Sequence, residues 1–172
     1  MTQRLIAFIC YGNICRSPFA ERWAARRLEA HGLADRVWVD SAGIGAVSGQ
    51  GSTKAALQAA QELGVDLAPH RAKRVEELTL PADALLVAMD RQVFGALLVG
   101  QAATLEAARG PSGSRLDLLM RSLAGTEAAR LHGLDVPDPM GEGVNAYRRV
   151  YALLQEAVDA LLERQARELG LS

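Results

Sequence analysis

The chain has 172 residues, a length typical of one domain with its own hydrophobic core. Hydrophobic residues make up 49% of it and charged residues 23%, which excludes an intrinsically disordered or fibrous protein. Nineteen Lys and Arg against twenty Asp and Glu give a formal net charge of −1, so the overall charge does not favour nucleic acid or an anionic membrane as a partner. Any binding site for an anion must therefore be local.

The chain contains two cysteines, Cys10 and Cys15, which are too few for a disulfide framework. Its first apolar run is too short for a secretory signal, and no apolar stretch reaches the roughly 18 to 20 residues of a membrane span. We therefore expect a cytoplasmic protein without a membrane partner, in which a cysteine is more often catalytic or metal-binding than cross-linked. A zinc site at this pair is disfavoured, because neither a second cysteine pair nor a nearby histidine completes four ligands.

The first half of the chain alternates between strand and helix signals. The apolar run at 5–9 is typical of a strand buried on both faces. A proline at a first helical position and the apolar spacing after it predict a helix over 18–30. A second strand is predicted at 37–39. A Gly- and Ser-rich loop at 43–52 then leads into a helix over 53–63, which a glycine ends.

The second half continues the alternation. A strand is predicted at 84–88, followed by a helix from about residue 92 whose end is blurred by two glycines. The sequence GPSGS at 110–114 predicts a loop. A fourth strand is predicted at 116–120, although an aspartate interrupts its apolar run. Apolar residues at intervals of three and four over 144–162 predict an amphipathic helix.

This alternation predicts an α/β fold: a single domain of three layers, in which a central four-stranded parallel sheet carries helices on both faces. Ligands of such sheets bind beyond the carboxyl ends of the strands. The loop directly after the first strand, residues 10–17 with the sequence CYGNICRS, is therefore the first place to expect a site. We refer to it as the 10–17 loop.

The residue types of the 10–17 loop predict a site for phosphate. A strand-to-helix turn directs successive backbone N–H groups inward at a helix N-terminus, which favours an anion. Gly12 permits the tight path, and the planar guanidinium of Arg16 matches two oxygens of a tetrahedral oxyanion. Cys10, at the base of this positive cradle, is expected to be stabilised as a thiolate and to act as a nucleophile. A buried cysteine with only a packing role is the alternative, but Ser17 and the helix-opening Pro18 favour the functional interpretation.

The stretch CYGNICRSPFAE, residues 10–21, resembles the signature of the low-molecular-weight protein tyrosine phosphatases. Four further segments resemble the family and follow in its order: VDSAG at 39–43, HRA at 70–72, AMD at 88–90 and DVPDP at 135–139. Since these segments cover most of the chain, the resemblance implies that residues 1–172 form a single phosphatase-like domain.

The resemblance implies hydrolysis of a phosphomonoester, in particular of protein phosphotyrosine, without a metal or other cofactor. Cys10 would form a phosphocysteine, Arg16 would bind the phosphate, and Ser17 would donate a hydrogen bond to the thiolate. Asp138, directly before a proline, would be the general acid and then the general base, with Asp135 as the alternative. The other loop residues would hold the phosphate through their backbone amides: Tyr11, Gly12, Asn13, Ile14 and Cys15. A phosphorylated protein or a small aryl phosphate is the expected substrate.

Two more roles follow from the resemblance. Ser41 and His70, with Asn13, correspond to a hydrogen-bond network that holds the phosphate-binding loop in shape. Cys15 either packs inside the loop or captures oxidised Cys10 as a reversible disulfide.

The resemblance also indicates where this chain departs from the family. Many members have an aromatic residue at two positions of the substrate pocket, where this chain has Val47 and Met140. The ring stacking on phosphotyrosine, worth roughly 0.5–1.5 kcal/mol per pair, would be missing there. Tyr11 is then the candidate aromatic wall.

Three alternative functions are compatible with the same fold or the same loop. Members that act on phosphoarginine tend to have Thr where this chain has Ile14, which favours the tyrosine-type activity. Arsenate reductases on this fold need further cysteines to relay a disulfide. A module that only binds phosphate needs neither a nucleophile nor an acid, so the combination of Cys10, Arg16 and Asp138 counts against it.

Overall fold

The computed structural model describes residues 3–99 and 115–170. Within these ranges the strands are β1 Arg4–Cys10, β2 Val37–Gly43, β3 Leu85–Ala88 and β4 Arg115–Leu118. The α-helices there are α1 Arg16–Ala30, α2 Lys54–Glu62, α3 Arg91–Val99, α4 Glu127–His132 and α5 Val144–Glu168. Two 3₁₀ turns are Val75–Glu77 and Leu119–Leu123. None of the helices in the described ranges is both long and apolar enough to cross a membrane.

The strands form one parallel sheet in the order β2-β1-β3-β4. The register pairs Cys10 at the end of β1 with Gly43 at the end of β2, and Ile9 with Ala88 at the end of β3. Because all strands run the same way, these three ends lie side by side at one edge of the sheet. The loops that leave this edge therefore converge around the 10–17 loop.

The side chains of β1 alternate between the two faces of the sheet. Ile6 and Phe8 belong to one buried cluster, which also contains apolar residues of α1, α2 and α5. Leu5, Ala7 and Ile9 belong to a second cluster, which contains residues of α3. Helices thus cover both faces, and the predicted three-layer α/β fold with a four-stranded parallel sheet is confirmed. A strand buried on both faces has no polar alternation, which is why its run was readable in the sequence.

The helix ends follow the local sequence. Thr53 caps α2, its hydroxyl oxygen accepting the Ala56 N–H at 3.2 Å, and Gly64 follows the helix at φ +71°, a conformation that favours glycine. Helix α1 begins at Arg16, two residues before the predicted start at Pro18. A proline within the first turn is tolerated, because the first N–H groups of a helix have no partner inside it.

The fourth strand differs from the prediction of 116–120. Strand β4 covers Arg115–Leu118, and the chain then turns into the 3₁₀ segment that contains Leu119 and Met120. Both residues are fully buried, so the apolar run continued although the strand had ended. Strand β2 is longer than predicted because the polar Asp40 and Ser41 within it obscured its pattern.

Helix α4 and the 3₁₀ turn at Val75–Glu77 were not predicted. Both are too short for an apolar period to become visible. The predicted loop at 110–114 lies outside the described residues.

Candidate active site

The sulfur of Cys10 is at the floor of the 10–17 loop, at the carboxyl end of β1. The backbone N–H of Asn13 donates to its Sγ at 3.2 Å, and Ser17 Oγ lies 3.0 Å from the same sulfur. Only 2% of Cys10 is exposed. The sulfur therefore lies between a backbone N–H and a hydroxyl group, both supplied by the loop itself.

The loop is packed directly on the end of β2. A Cβ atom added to Gly43 would lie 2.4 Å from the carbonyl oxygen of Tyr11 and 2.9 Å from the backbone nitrogen of Asn13. No other residue type fits this approach without moving the backbone. Gly43 thus positions the loop, a role that the sequence did not reveal.

Asn13 organises the loop from within. It is fully buried and has φ +53°, a left-handed conformation that asparagine tolerates better than most residues. Its Nδ2 donates to Ser17 Oγ and to Ser41 Oγ, both at 2.9 Å. Its Oδ1 accepts the Lys73 N–H at 2.9 Å, and its carbonyl oxygen lies 2.7 Å from His70 Nε2. The loop is thereby tied to two other segments of the chain, the end of β2 at Ser41 and the segment that contains His70 and Lys73.

The structure brings Ser41 and His70 into hydrogen-bond contact with Asn13 of the loop. Burial lowers the pKa of His70 below its ordinary value. A neutral ring can donate its Nε2–H to the carbonyl oxygen of Asn13, which fixes one tautomer.

Arg16 is held by two carboxylates and a carbonyl oxygen. Its Nη1 donates to Asp90 Oδ2 at 2.7 Å and to the Val136 carbonyl oxygen at 3.0 Å, and its Nη2 donates to Asp138 Oδ2 at 3.3 Å. Burial alone would lower the pKa of Arg16, but the nearby negative groups, Cys10 first among them, outweigh burial and raise it. The guanidinium is therefore a permanent positive charge beside the sulfur.

Asp90 is a site residue to which the sequence analysis assigned no role. A signal was present, because Asp90 comes directly after β3 and its neighbouring strand β1 ends in Cys10. Its second oxygen accepts the Val93 N–H at 2.8 Å at the start of α3. Asp90 thus connects the orientation of Arg16 to a helix N-terminus.

The two candidate acids differ in their partners. Asp135 forms hydrogen bonds to Arg91 through the backbone N–H, Nε and Nη2, at 2.7 to 3.1 Å. The hydrogen bonds to Arg91 lower the pKa of Asp135. Asp138 faces Arg16 and has a side chain that is 50% exposed. Asp135 is thus held in its ionised form by Arg91, whereas Asp138 lies beside Arg16 of the loop.

The rim of the site carries two exposed apolar side chains, Tyr11 in the loop, which is 54% exposed, and Met140 next to Asp138, which is 47% exposed. Val47, in the segment after β2, is 66% exposed. A Cβ atom on Gly45 would lie 2.7 Å from the Tyr11 ring, so the ring rests on a glycine. The N–H of Met140 donates to Asp138 Oδ1 at 3.1 Å, which links that rim residue to the carboxylate.

Cys15, within the 10–17 loop, contacts two tyrosines of α5. Its Sγ is 3.3 Å from Tyr147 Oη, and its carbonyl oxygen accepts the Tyr151 hydroxyl at 3.0 Å. Burial raises the pKa of the Cys15 thiol. Both cysteines are free thiols.

Buried polarity is concentrated at this site. Among the described residues, six polar or charged ones are buried, and five of them belong to the arrangement around Cys10: Asn13, Arg16, Ser17, Ser41 and His70. Burying polar groups is costly unless they are hydrogen-bonded, so such a concentration indicates a site and not a generic core. No three His, Cys, Asp or Glu side chains in the described ranges come together in a way that could hold a metal ion.

A family model described as "Low molecular weight phosphotyrosine protein phosphatase" matches residues 5–170. The "Low molecular weight protein-tyrosine phosphatase A" of Mycobacterium tuberculosis (strain ATCC 25618 / H37Rv) is 38% identical over 158 residues, 91% of this chain and 88% of the relative. The "Probable low molecular weight protein-tyrosine-phosphatase EpsP" of Ralstonia solanacearum is 32% identical over 173 residues, 97% of this chain and 99% of the relative. A solved structure of YwlE arginine phosphatase, a cysteine-to-serine mutant with a phosphorylated active-site serine, is 26% identical and covers 98% of this chain and 99% of its own, with a TM-score of 0.73.

Proposed function

This chain belongs to the low molecular weight phosphotyrosine protein phosphatase family, and from that premise we propose that it hydrolyses phosphotyrosine in proteins through a phosphocysteine on Cys10. The observation that carries the proposal is the position of the Cys10 sulfur, 3.2 Å from the Asn13 N–H and 3.0 Å from the Ser17 hydroxyl. Both groups can stabilise a thiolate, and the charge of Arg16 follows in the same loop.

In the first step the sulfur of Cys10 attacks phosphorus. The S–P bond forms while the bond from phosphorus to the leaving oxygen breaks, and Asp138 gives its proton to that oxygen. Arg16 and the backbone N–H groups of the 10–17 loop hold the equatorial oxygens as their charge redistributes. This positive charge comes from the chain itself, so the step requires no metal ion.

In the second step water attacks the phosphorus of the phosphocysteine. The carboxylate of Asp138 takes a proton from the water, the S–P bond breaks, and inorganic phosphate leaves. The sulfur departs as a thiolate, and the hydroxyl of Ser17, 3.0 Å away, is placed to stabilise it. Cys10 and Asp138 therefore act in both steps.

Recognition of the tyrosyl ring is assigned to the rim. Tyr11 offers the ring face, while Val47 and Met140 offer apolar contact without stacking. Methionine is flexible and packs well against aromatic groups, which suits an aryl phosphate. We expect phosphotyrosine to be accepted, with less discrimination than two aromatic walls would provide.

Phosphoarginine hydrolysis is the second candidate, supported by the likeness to YwlE arginine phosphatase. Ile14, buried in the loop, has no hydroxyl that could assist attack on a guanidino phosphate, so we rank it below phosphotyrosine. Arsenate reduction ranks lower, because the chain has two cysteines and no third to relay a disulfide. We also keep the hypothesis that Cys15 captures oxidised Cys10 as a disulfide, releasing water from the sulfenic acid.

The proposal is tested by replacing the nucleophile. We expect the purified protein to hydrolyse a small aryl phosphate in the presence of a chelator, and Cys10→Ser to abolish turnover, because a serine hydroxyl is not ionised at neutral pH. Cys15→Ser is the matched control, and it should retain turnover. Hydrolysis that survives Cys10→Ser and is lost on addition of the chelator would contradict the mechanism.

The substrate class is tested with three peptides of identical sequence that carry phosphotyrosine, phosphoserine or phosphoarginine. We expect the highest kcat/KM with phosphotyrosine, because Tyr11 and Met140 contact a ring and gain nothing from the shorter phosphoserine. Release of inorganic phosphate measures the rates. A higher kcat/KM with phosphoarginine would replace the proposed substrate and leave the phosphocysteine chemistry in place.

A further inference from the structure

Glu21 lies on α1, four residues after Ser17 and therefore on the same face of the helix. The hydroxyl of Ser41, at the end region of β2, donates to Glu21 Oε2 at 2.5 Å. Glu21 has no role in the two proposed steps of hydrolysis. Its carboxylate nevertheless ends a chain of hydrogen bonds that begins at the Cys10 sulfur.

The directions of the hydrogen bonds along this chain can be worked out by counting hydrogens. The Lys73 N–H donates to Asn13 Oδ1, so the Asn13 amide is oriented with Nδ2 towards the two serines. The two hydrogens on Nδ2 are given to Ser17 Oγ and Ser41 Oγ, at 2.9 Å each. Each serine oxygen is therefore an acceptor from Asn13, and each has one hydrogen left to donate.

The hydroxyl hydrogens of Ser41 and Ser17 determine whether a hydrogen bond is donated to the Cys10 sulfur. Ser41 donates its hydrogen to the Glu21 carboxylate at 2.5 Å. Ser17 has two acceptors in reach, the Cys10 sulfur at 3.0 Å and the Ala42 carbonyl oxygen at 3.5 Å, and the sulfur is the closer. Because the amide nitrogen of Asn13 can only donate, its two hydrogens stay on the two serine oxygens as long as those oxygens keep their positions, which leaves the Ser17 hydrogen for the sulfur. The hydrogen bond to Glu21 holds the Ser41 oxygen in its position.

The surroundings of Glu21 bear on its charge. Burial raises the pKa of the Glu21 carboxyl, and the hydrogen bond from Ser41 opposes this. Among the neighbouring charges, Asp40 also raises the pKa, whereas Arg22 and Lys73 lower it. Lys73 is itself paired with Asp40 at 2.6 Å. The hydrogen bond from Ser41 holds the Glu21 carboxyl group against the end of β2, next to the loop.

We propose that Glu21 is a positioning residue: its carboxylate accepts the Ser41 hydroxyl and so directs the Ser17 hydroxyl towards the Cys10 sulfur. This inference rests on the proposed function, because it supports the thiolate that function requires. Without the acceptor, the Ser41 hydroxyl is free to turn, Asn13 loses its fixed pair of acceptors, and the Ser17 hydrogen is no longer directed to the sulfur. The effect reaches Cys10 through three residues and not through contact with substrate.

The sign of one measurement separates positioning from simple charge. A negative charge near Cys10 disfavours a thiolate, so removing the charge of Glu21 would by itself move thiolate formation to lower pH. Losing the directed Ser17 hydrogen bond moves it to higher pH. The rate of Cys10 alkylation by iodoacetamide as a function of pH, with the modified peptide identified by mass spectrometry, reports the midpoint directly.

Two substitutions of Glu21 differ in what they keep. Glu21→Leu removes both the charge and the acceptor, whereas Glu21→Gln removes the charge but keeps an oxygen that can accept from Ser41. We expect the alkylation midpoint of Glu21→Leu to lie about half a pH unit or more above that of the parent, and that of Glu21→Gln to lie below Glu21→Leu. Glu29→Leu, the same change at an exposed position of α1, should leave the midpoint unchanged.

Turnover gives a second readout. We expect Glu21→Leu to lower kcat by roughly twofold to tenfold, the range of one net hydrogen bond, with KM unchanged because the phosphate contacts remain. Should Glu21→Leu fail to fold, Ser41→Ala serves instead. It keeps the charge of Glu21 and removes the link, so positioning predicts a higher midpoint and simple charge predicts no change.

Equal midpoints for Glu21→Leu and Glu21→Gln, or a Glu21→Leu midpoint at or below the parent, would overturn the inference. Alkylation requires no substrate, so its result is independent of turnover. A parent protein that shows the predicted midpoints but no phosphatase activity would refute the proposed function and retain the role of Glu21. A parent protein whose activity is lost in Cys10→Ser, but whose alkylation midpoint does not shift in the Glu21 variants, would retain the proposed function and refute the role of Glu21.

Discussion

At the scale of single residues, the two candidate acids, Asp135 and Asp138, differ in the partners that their carboxylates already have. Asp135 is occupied by Arg91 through three donor groups, with distances as short as 2.7 Å. Asp138 instead faces Arg16 at 3.3 Å and is half exposed. A general acid must be able to exchange its proton with water and to reach the leaving group. These requirements favour Asp138.

The assignment of the acid can be tested with two isosteric variants. With phenyl phosphate, whose poor leaving group needs protonation, we expect Asp138→Asn to lower kcat by roughly 10²–10⁴. Asp135→Asn removes an exposed ion pair with Arg91, which solvent screens, and should leave kcat nearly unchanged. The rates come from phenol release at neutral pH. A larger loss in Asp135→Asn than in Asp138→Asn would reverse the assignment.

At the scale of elements, the shape of the 10–17 loop depends on the strand beside it. Strand β2 continues through Ser41 to Gly43, and its last residue lies against the backbone of Tyr11 and Asn13. The same stretch of β2 thus supplies both a hydrogen-bonding side chain and a close backbone contact. A loop that presents N–H groups to an anion depends on such support, because small displacements of its donors are costly.

Gly43→Ala tests this support. Its Cβ would lie 2.4 Å from the Tyr11 carbonyl oxygen, and backbone cannot give way as a flexible side chain can. We expect kcat/KM for an aryl phosphate to fall about tenfold to hundredfold as the loop shifts. Gly95→Ala on α3 is the matched control, since a Cβ there meets nothing within 4 Å and alanine favours a helix. An active Gly43→Ala would show that the contact does not shape the site.

At the scale of the whole molecule, the parallel sheet joins two buried clusters, one on each of its faces. Trp23 packs against the cluster on the α1 and α5 face, and Trp38 packs against the cluster on the α3 face. The strand β1 contributes alternate residues to both clusters, so neither layer can lose its packing without exposing the other. We infer that the chain unfolds as one cooperative domain.

The two tryptophans make this inference measurable. In Trp23→Phe the remaining fluorescence reports the α3 face, and in Trp38→Phe it reports the α1 and α5 face. For each variant we expect the urea transition followed by fluorescence to coincide with that followed by far-ultraviolet circular dichroism. Separate midpoints for the two probes within one variant would indicate layers that unfold independently.

The composition also has to be interpreted at this scale. A net charge of −1 excludes a protein covered with positive charge, yet Arg16 stands buried beside Cys10. One guanidinium and a turn of backbone amides create the local field. Four of the eight aromatic residues stack on or contact one another between α1 and α5: Phe19, Trp23, Tyr147 and Tyr151. Of the eight, the rim carries Tyr11 alone.

What the sequence alone determined is what depends on neighbours along the chain. The apolar run of β1, the 10–17 loop and the helix opening near Pro18 are contiguous, so their residue types predict a turn of N–H groups with a thiol at its base. The alternation of strands and helices predicted the parallel sheet for the same reason. The end of β4 was wrong, because burial at Leu119 and Met120 does not distinguish a strand from a 3₁₀ turn.

Which distant groups meet the loop depends on how the strands and helices pack together. Asp90 reaches Arg16 because β3 lies beside β1, and Glu21 reaches Ser41 because α1 packs next to the end of β2. Hydrogen bonds and charge pairs act over about 3 Å, and sequence separation carries no information about such distances. The candidate nucleophile could therefore be predicted from its own segment, whereas the groups packed around the loop became visible only when the strands were set side by side.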